Sequence, residues 1–335
     1  MTVRFPPVLR SFFAVTLLLG AVLAAAALLG LSAGSSGISL SRTLAVLAGR
    51  EGPDSVAGAI LWRIRLPRVA LAAAVGSTLA LGGLVFQALL RNPLAEPYIL
   101  GISGGAAVGA IIGLTTGLAP FPGVALVAFL GSMATLALVL LLAAGRTSLR
   151  KDSLLLGGVM ANAFCSALIM FLIGLSGNSQ VRQILFWLMG DLSLFTREQL
   201  PVLLSLLPCF GAVLVLARPM NLLLTGSENA AAMGVNVRAV TLVLLVATSL
   251  MVSIAVSLAG LVGFVGLVIP HIFRLLLGSD HRLLIPSCLL GGGAYLILCD
   301  LLARTLPGGG EMPVGIVTAI IGAPLFVFLL WRSRR

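Results

Sequence analysis

Polar residues interrupt this chain at intervals of roughly a helix length, and the stretches between them are almost wholly apolar. Runs of about 20 residues recur at roughly 11–33, 61–90, 94–116, 121–144, 153–176, 198–217, 238–260, 261–277, 283–304 and 313–331. Runs of that length match the hydrocarbon thickness of a bilayer when helical. A helix also satisfies every backbone N–H and C=O within its own segment, which lipid demands. Transmembrane strands would be about 9–11 residues long and would alternate in polarity; these runs do neither. The pattern predicts an all-α polytopic membrane protein with about ten transmembrane helices in a single domain over residues 1–335. An even number of spans puts both termini on one side. The richer share of basic residues on that side predicts that it is cytoplasmic. The first run follows Arg4 and Arg10 and is long for a signal peptide, so it is expected to be a retained span.

Composition removes the alternatives. Of 335 residues 59% are hydrophobic and 9% charged, with a mean hydropathy of +1.17. That excludes an ordinary soluble globule and a disordered chain. A net charge of +11 would suggest nucleic acid in a soluble protein. Here the basic residues flank apolar runs, where topology explains them, and no nucleic-acid partner is expected. Glycine is abundant, 39 residues. Gly101, Gly105, Gly109 and Gly113 recur every four positions, predicting one helix face on which a neighbour packs at backbone distance. Gly260, Gly263 and Gly266, followed by Pro270, predict a short or broken span ending at Pro270–His271. Cys165, Cys209, Cys288 and Cys299 lie in apolar stretches without metal-ligand spacing and are expected to be packing residues.

Chemistry is conspicuous by its absence. The chain has no GxxxxGK[ST] motif and its only lysine is Lys151, so ATP hydrolysis is not on this chain. No metal site and no cofactor are expected, and the chain is not expected to be an enzyme. Asp300 and Arg304 have the spacing of a helix-face ion pair. Between Arg218 and Arg238 the sequence predicts a short helix from Ser227 to Met233, capped by Ser227, with Glu228 in its first turn and Gly234 ending it. Such a helix is either an inert interfacial loop or a handle for a cytoplasmic partner. Arg42, Arg50, Arg63, Arg65 and Arg68 cluster on the outer side. They fit interfacial snorkelling at a helix start or docking of an acidic soluble protein.

The order of several short motifs resembles one family. Arg65-Leu-Pro-Arg68 is followed by Gln87, Arg91-Asn-Pro-Leu-Ala-Glu-Pro97 and GISGGAAVG. Later come Arg218-Pro-Met-Asn221, Gly263–Arg274 (GFVGLVIPHIFR), Asp280-His-Arg282 and Glu311–Phe326 (EMPVGIVTAIIGAPLF). Together these resemble the FecCD family of ABC-importer permeases, over most of the chain from about residue 60. The resemblance implies a type II importer permease of the inner membrane that works as a homodimer. Two cytoplasmic ATP-binding subunits would drive it. A periplasmic or lipid-anchored binding protein would deliver vitamin B12, haem or an iron–siderophore complex. By position, Arg65, Arg68 and Arg304 would meet carboxylates of the binding protein. Asn92 and Leu94, with Asp152 and Ser153, would form the cytoplasmic gate. Gly226, Ser227, Glu228, Ala231 and Gly234 would couple to the ATPase. The family often has Glu directly after that glycine, whereas here Ser227 intervenes. A secondary, ion-coupled transporter of another fold is the rival reading; the scarcity of mid-span carboxylates weighs against it.

Overall fold

The computed structural model describes residues 7–34, 40–52, 54–143, 151–306 and 310–333. Among these the chain forms fourteen helices: α1 (Pro7–Ser32), α2 (Leu40–Leu47), α3 (Val56–Leu90), α4 (Ile102–Thr115), α5 (Pro120–Ala143), α6 (Lys151–Leu175), α7 (Asn178–Leu188), α8 (Arg197–Val215), α9 (Ala217–Leu224), α10 (Ser227–Ala232), α11 (Val237–Ala259), α12 (Val265–Leu277), α13 (His281–Thr305) and α14 (Val314–Ser333). Seven of them, α1, α3, α5, α6, α8, α11 and α13, are long and apolar enough to cross a membrane; α4, α12 and the Val314–Leu329 stretch of α14 are shorter apolar segments. All ten fall on the apolar runs of the sequence.

Helix α3 is the hub. Its 35 residues rise about 52 Å, well beyond a hydrocarbon core of about 30 Å. In its most apolar stretch 78% of residues are buried, against 6% for the peripheral α1. Glycine explains how so many helices crowd around it. A Cβ on Gly76 would lie 2.2 Å from the Gly292 carbonyl oxygen of α13, and one on Gly83 would lie 1.9 Å from the Gly266 carbonyl oxygen of α12. Two helices therefore touch α3 backbone to backbone, a mode open only to the smallest residues. Near its N-terminal end α3 widens into a π-helical turn over Ile60–Arg65, where the Leu66 N–H reaches the Leu61 carbonyl. Pro67 lies just beyond and has no N–H to continue the ordinary ladder, which accounts for the irregular turn.

The predicted glycine stripe is only partly helical. Gly105, Gly109 and Gly113 lie on α4 and face α5, where added Cβ atoms would meet Gly131 O, Val127 O and the Val124 Cα within 2.4, 2.3 and 3.1 Å. Gly101 precedes the helix as its left-handed cap, with φ of +81°, and still faces α5, where an added Cβ would meet Thr135 Cγ2 at 2.8 Å. The run starting at residue 94 is correspondingly not helical until Ile102: residues 92–101 form turns. Two prolines, Pro93 and Pro97, lie in that stretch and bias the residues before them away from helix.

The break expected at Pro270 lies elsewhere. Helix α12 runs through Pro270 to Leu277, and the interruption is at Gly260–Phe264. Pro270 cannot donate to the carbonyl four residues earlier, that of Gly266. The Gln87 side chain of α3 donates to that carbonyl instead, at 3.2 Å, so the helix survives its proline. The four cysteines are buried and unpaired.

Candidate functional site

Two clusters of polar side chains stand at opposite ends of the α3–α13 pair. At the end that the sequence reading places outside, Arg65 and Arg68 of α3 meet Asp300 and Arg304 of α13, the C-terminus of α1, and Glu311 in the turn before α14. Arg68 Nε donates to Asp300 Oδ1 at 2.9 Å and Arg68 Nη1 to Glu311 Oε2 at 2.5 Å. Arg304 Nε lies 3.0 Å from Asp300 Oδ2, the ion pair that the i, i+4 spacing predicts. Arg65 Nη1 donates to the Leu31 and Ser32 carbonyls at 2.6 and 2.9 Å, and Arg304 Nη2 to the Gly30 carbonyl at 3.2 Å. The last carbonyls of α1 lack intrahelical partners and carry its negative dipole end, so two guanidiniums suit them. Three cations thus share two carboxylates and a helix terminus.

The family resemblance brought Arg65, Arg68 and Arg304 together, and the sequence read Arg65 and Arg68 as part of an open basic face. All three are buried. The patch divides: Arg50 and Arg63 are exposed, and Arg42 pairs with Glu51 at 3.2 Å. The cause is local. The π turn and the following helix rotate Arg65 and Arg68 inward, onto elements from the far end of the chain that periodicity cannot reveal. Glu311 was visible as a lone acid before an apolar run, yet only the fold pairs it with Arg68.

At the inner end the chain leaves α3 through Arg91, which has φ of +51°. Its guanidinium Nη2 donates to the Leu223 carbonyl of α9 at 3.1 Å. Asn92 Oδ1 accepts from the Leu94 N–H at 2.9 Å, closing a tight turn, and Leu94 is exposed. The turns then run deeper, where Tyr98 OH donates to the Val262 carbonyl at 2.9 Å and accepts from the Val262 N–H at 3.2 Å. Asn162 of α6 donates to the Tyr98 carbonyl at 3.3 Å. The two non-helical stretches, 92–101 and 260–264, are therefore tied to each other. Such backbone inside a membrane protein persists only where protein or a cavity satisfies it. Ser153 lies in the first turn of α6 beside buried Leu154. Asp152 is also in α6, but its side chain is outside the described residues.

Helix α10 falls where the sequence predicts the short helix from Ser227 to Met233, and α9 adds a second helix before it. Helix α10 starts at Ser227, and its N-cap is Gly226 with φ of +119°, not Ser227 as expected. Only glycine takes that conformation cheaply, and Ser227 becomes the first helical residue. Gly234, with φ of +86°, follows the last turn. Ser227, Glu228 and Ala231 are exposed, while Ala230 on the inward face is buried. The segment is pinned to α13: Asn221 Nδ2 donates to Asp280 Oδ1 at 2.7 Å, and Asn221 Oδ1 accepts from the His281 N–H at 2.9 Å. Burial works against the ionised Asp280. The Arg282 N–H, the Asn221 amide and the Arg282 guanidinium nevertheless hold its carboxyl below the ordinary value. A cavity of about 300 Å³ is lined by Leu90 and Leu100, which bracket the turns of residues 92–99, by Leu154 beside Ser153, and by Ser227 and Arg238, which bracket the exposed helix. These turns and the exposed helix are thus neighbours.

A profile of the FecCD transport family matches residues 22–332. The vitamin B12 import system permease protein BtuC of Klebsiella pneumoniae is 43% identical over 276 residues, covering 82% of this chain and 83% of that protein. Its namesake in Citrobacter koseri is 42% identical over 275 residues, covering 82% and 84%. Among solved structures, a metal-chelate type ABC transporter in an inward-facing conformation superposes with a TM-score of 0.84 at 33% identity, over 95% of this chain and 99% of that one.

Proposed function

Because the chain belongs to the FecCD transport family, we propose that it is the transmembrane permease of an ATP-driven importer for cobalamin or a comparably bulky metal chelate. What carries the reading is the likeness to a metal-chelate ABC transporter over nearly the whole chain, joined to the B12-permease relatives. Each permease copy contributes half a pathway, and two copies assemble with two cytoplasmic ATPases and a binding protein on the outer side. Transport proceeds by alternating access. The loaded binding protein docks over the Arg65, Arg68 and Arg304 cluster. ATP binding moves the ATPases, which pull on α10 through its exposed Ser227–Glu228–Ala231 face. Arg91 links the preceding α9 to α3, and Asn221 links it to α13. The same displacement therefore reaches the gate turn at Asn92 and Leu94 and the start of α6 at Asp152 and Ser153.

The reading is tested by uptake in proteoliposomes holding this chain, its ATPase and its binding protein, challenged separately with cobalamin, haem and a ferric siderophore. Uptake of one ligand that needs both partners is the expected result. Uptake without ATP or partners would make the chain a secondary carrier. A second expectation concerns the handle. Glu228→Arg should lower uptake about tenfold or more, since a like-charge clash at an interface costs several kcal/mol. Glu228 is exposed, so yield and thermal stability should not change. Undiminished uptake by the variant would remove α10 from the coupling path.

A further inference from the structure

One ion pair of the outer cluster differs from its neighbours. Asp300 is fully buried between Arg68 and Arg304. The Glu311 side chain is 46% exposed, although the Arg68 side chain it meets is only 7% exposed. Arg68 thus turns Nε inward to Asp300 and Nη1 outward to Glu311. The backbone around Glu311 is held without its carboxylate. Met312 N donates to the Ala303 carbonyl at 3.2 Å, Val314 N to Gly190 at 3.0 Å and Gly315 N to Met189 at 3.1 Å. The Glu311 carboxylate can therefore leave Arg68 by side-chain rotation alone, with the turn in place. Asp300, inside α13 and away from water, has no such exit.

We infer that Glu311 is a stand-in for a partner's carboxylate. In the undocked permease it covers the outward edge of the Arg68 guanidinium, and an Asp or Glu of the docked binding protein takes its place. This rests on the docking role proposed above for the arginines. The chemistry favours an exchange over a bare site. An unserved donor edge on a buried guanidinium is costly, whereas swapping one carboxylate for another keeps the Nη1 edge paired while Asp300 holds Nε. The released Glu311 returns to water, which an exposed acid does at little loss. Both ligands are planar carboxylates, matching the fork of the guanidinium. The internal pair then sets a threshold: only a partner that presents a carboxylate in the same position competes.

The test is a double-mutant cycle on binding of the loaded binding protein to the permease–ATPase complex in nanodiscs. Glu311→Gln should tighten binding about two- to fivefold, the range of one exposed ion pair released. In an Arg68→Gln background binding should be weaker, and Glu311→Gln should then add nothing. Glu51→Gln, on an outer acid that pairs with Arg42 and not with the cluster, controls for the general loss of negative charge. Should Arg68→Gln fail to assemble, Arg68→Lys replaces it in the cycle. No gain from Glu311→Gln, or an equal gain in the Arg68 background or from Glu51→Gln, would overturn the exchange. Binding unaffected by either Arg68 variant would instead overturn the docking role itself.

Discussion

Asp300→Asn is expected to destabilise the permease by about 3–5 kcal/mol, the usual cost of removing one partner from a buried charge group. Asp300 is fully buried and answers both Arg68 and Arg304. Its amide could still accept hydrogen bonds but would leave two guanidiniums without their shared charge. The loss should appear as a lowered thermal midpoint of the detergent-solubilised protein and a smaller monodisperse fraction. The triple variant Arg68→Leu, Asp300→Leu, Arg304→Leu tells charge from shape. It should recover part of the loss, because a buried ion group is often no more stable than an apolar one of similar volume. A single variant as stable as the native chain would mean that the guanidiniums find water or other partners.

Gly83→Val is expected to cost about 3 kcal/mol or more, at or above the upper end of core overpacking. The new Cβ would sit 1.9, 2.5 and 2.7 Å from the carbonyl oxygen, carbonyl carbon and Cα of Gly266. All three are backbone atoms of α12, so no side chain can turn aside; α3 and α12 must part. That separation also pulls the Gln87 amide from the Gly266 carbonyl, leaving unserved the carbonyl that Pro270 already deprives of a donor. Gly20→Ala on α1 is the control, since nothing lies within 4 Å of its added Cβ. It should be neutral or slightly stabilising, because alanine is the better helix former. Equal yields and midpoints for the two variants would contradict close contact between α3 and α12.

The membrane class and the helical runs were legible because lipid imposes one rule on every segment, and that rule needs no knowledge of neighbours. Where readings erred, a distant residue had intervened. Pro270 looked like a helix end because its orphan carbonyl is visible in sequence, whereas Gln87, which serves it, lies on another helix. Ser227 looked like the cap by residue type, but Gly226 already supplied the turn geometry. Arg65 and Arg68 were legible as neighbours in the Arg65-Leu-Pro-Arg68 motif, while Arg304 joined them only through the family resemblance. Their burial was not, since it depends on Asp300, Glu311 and the end of α1. Tyr98 lay outside every motif, and Asn221 closed the Arg218-Pro-Met-Asn221 motif without any sign of its partners; each matters for the backbone that it meets across the fold.

The outer cluster also bears on how the chain is made. Arg68 and Asp300 are 232 residues apart. At about 5–20 residues per second, the ribosome supplies the acid roughly 10–50 s after the base. Throughout that interval Arg68 exists without either of the acids that it meets in the finished fold. The charge group is therefore completed late in synthesis, and a nascent chain stalled before residue 300 carries a guanidinium whose two carboxylate partners have not yet been made.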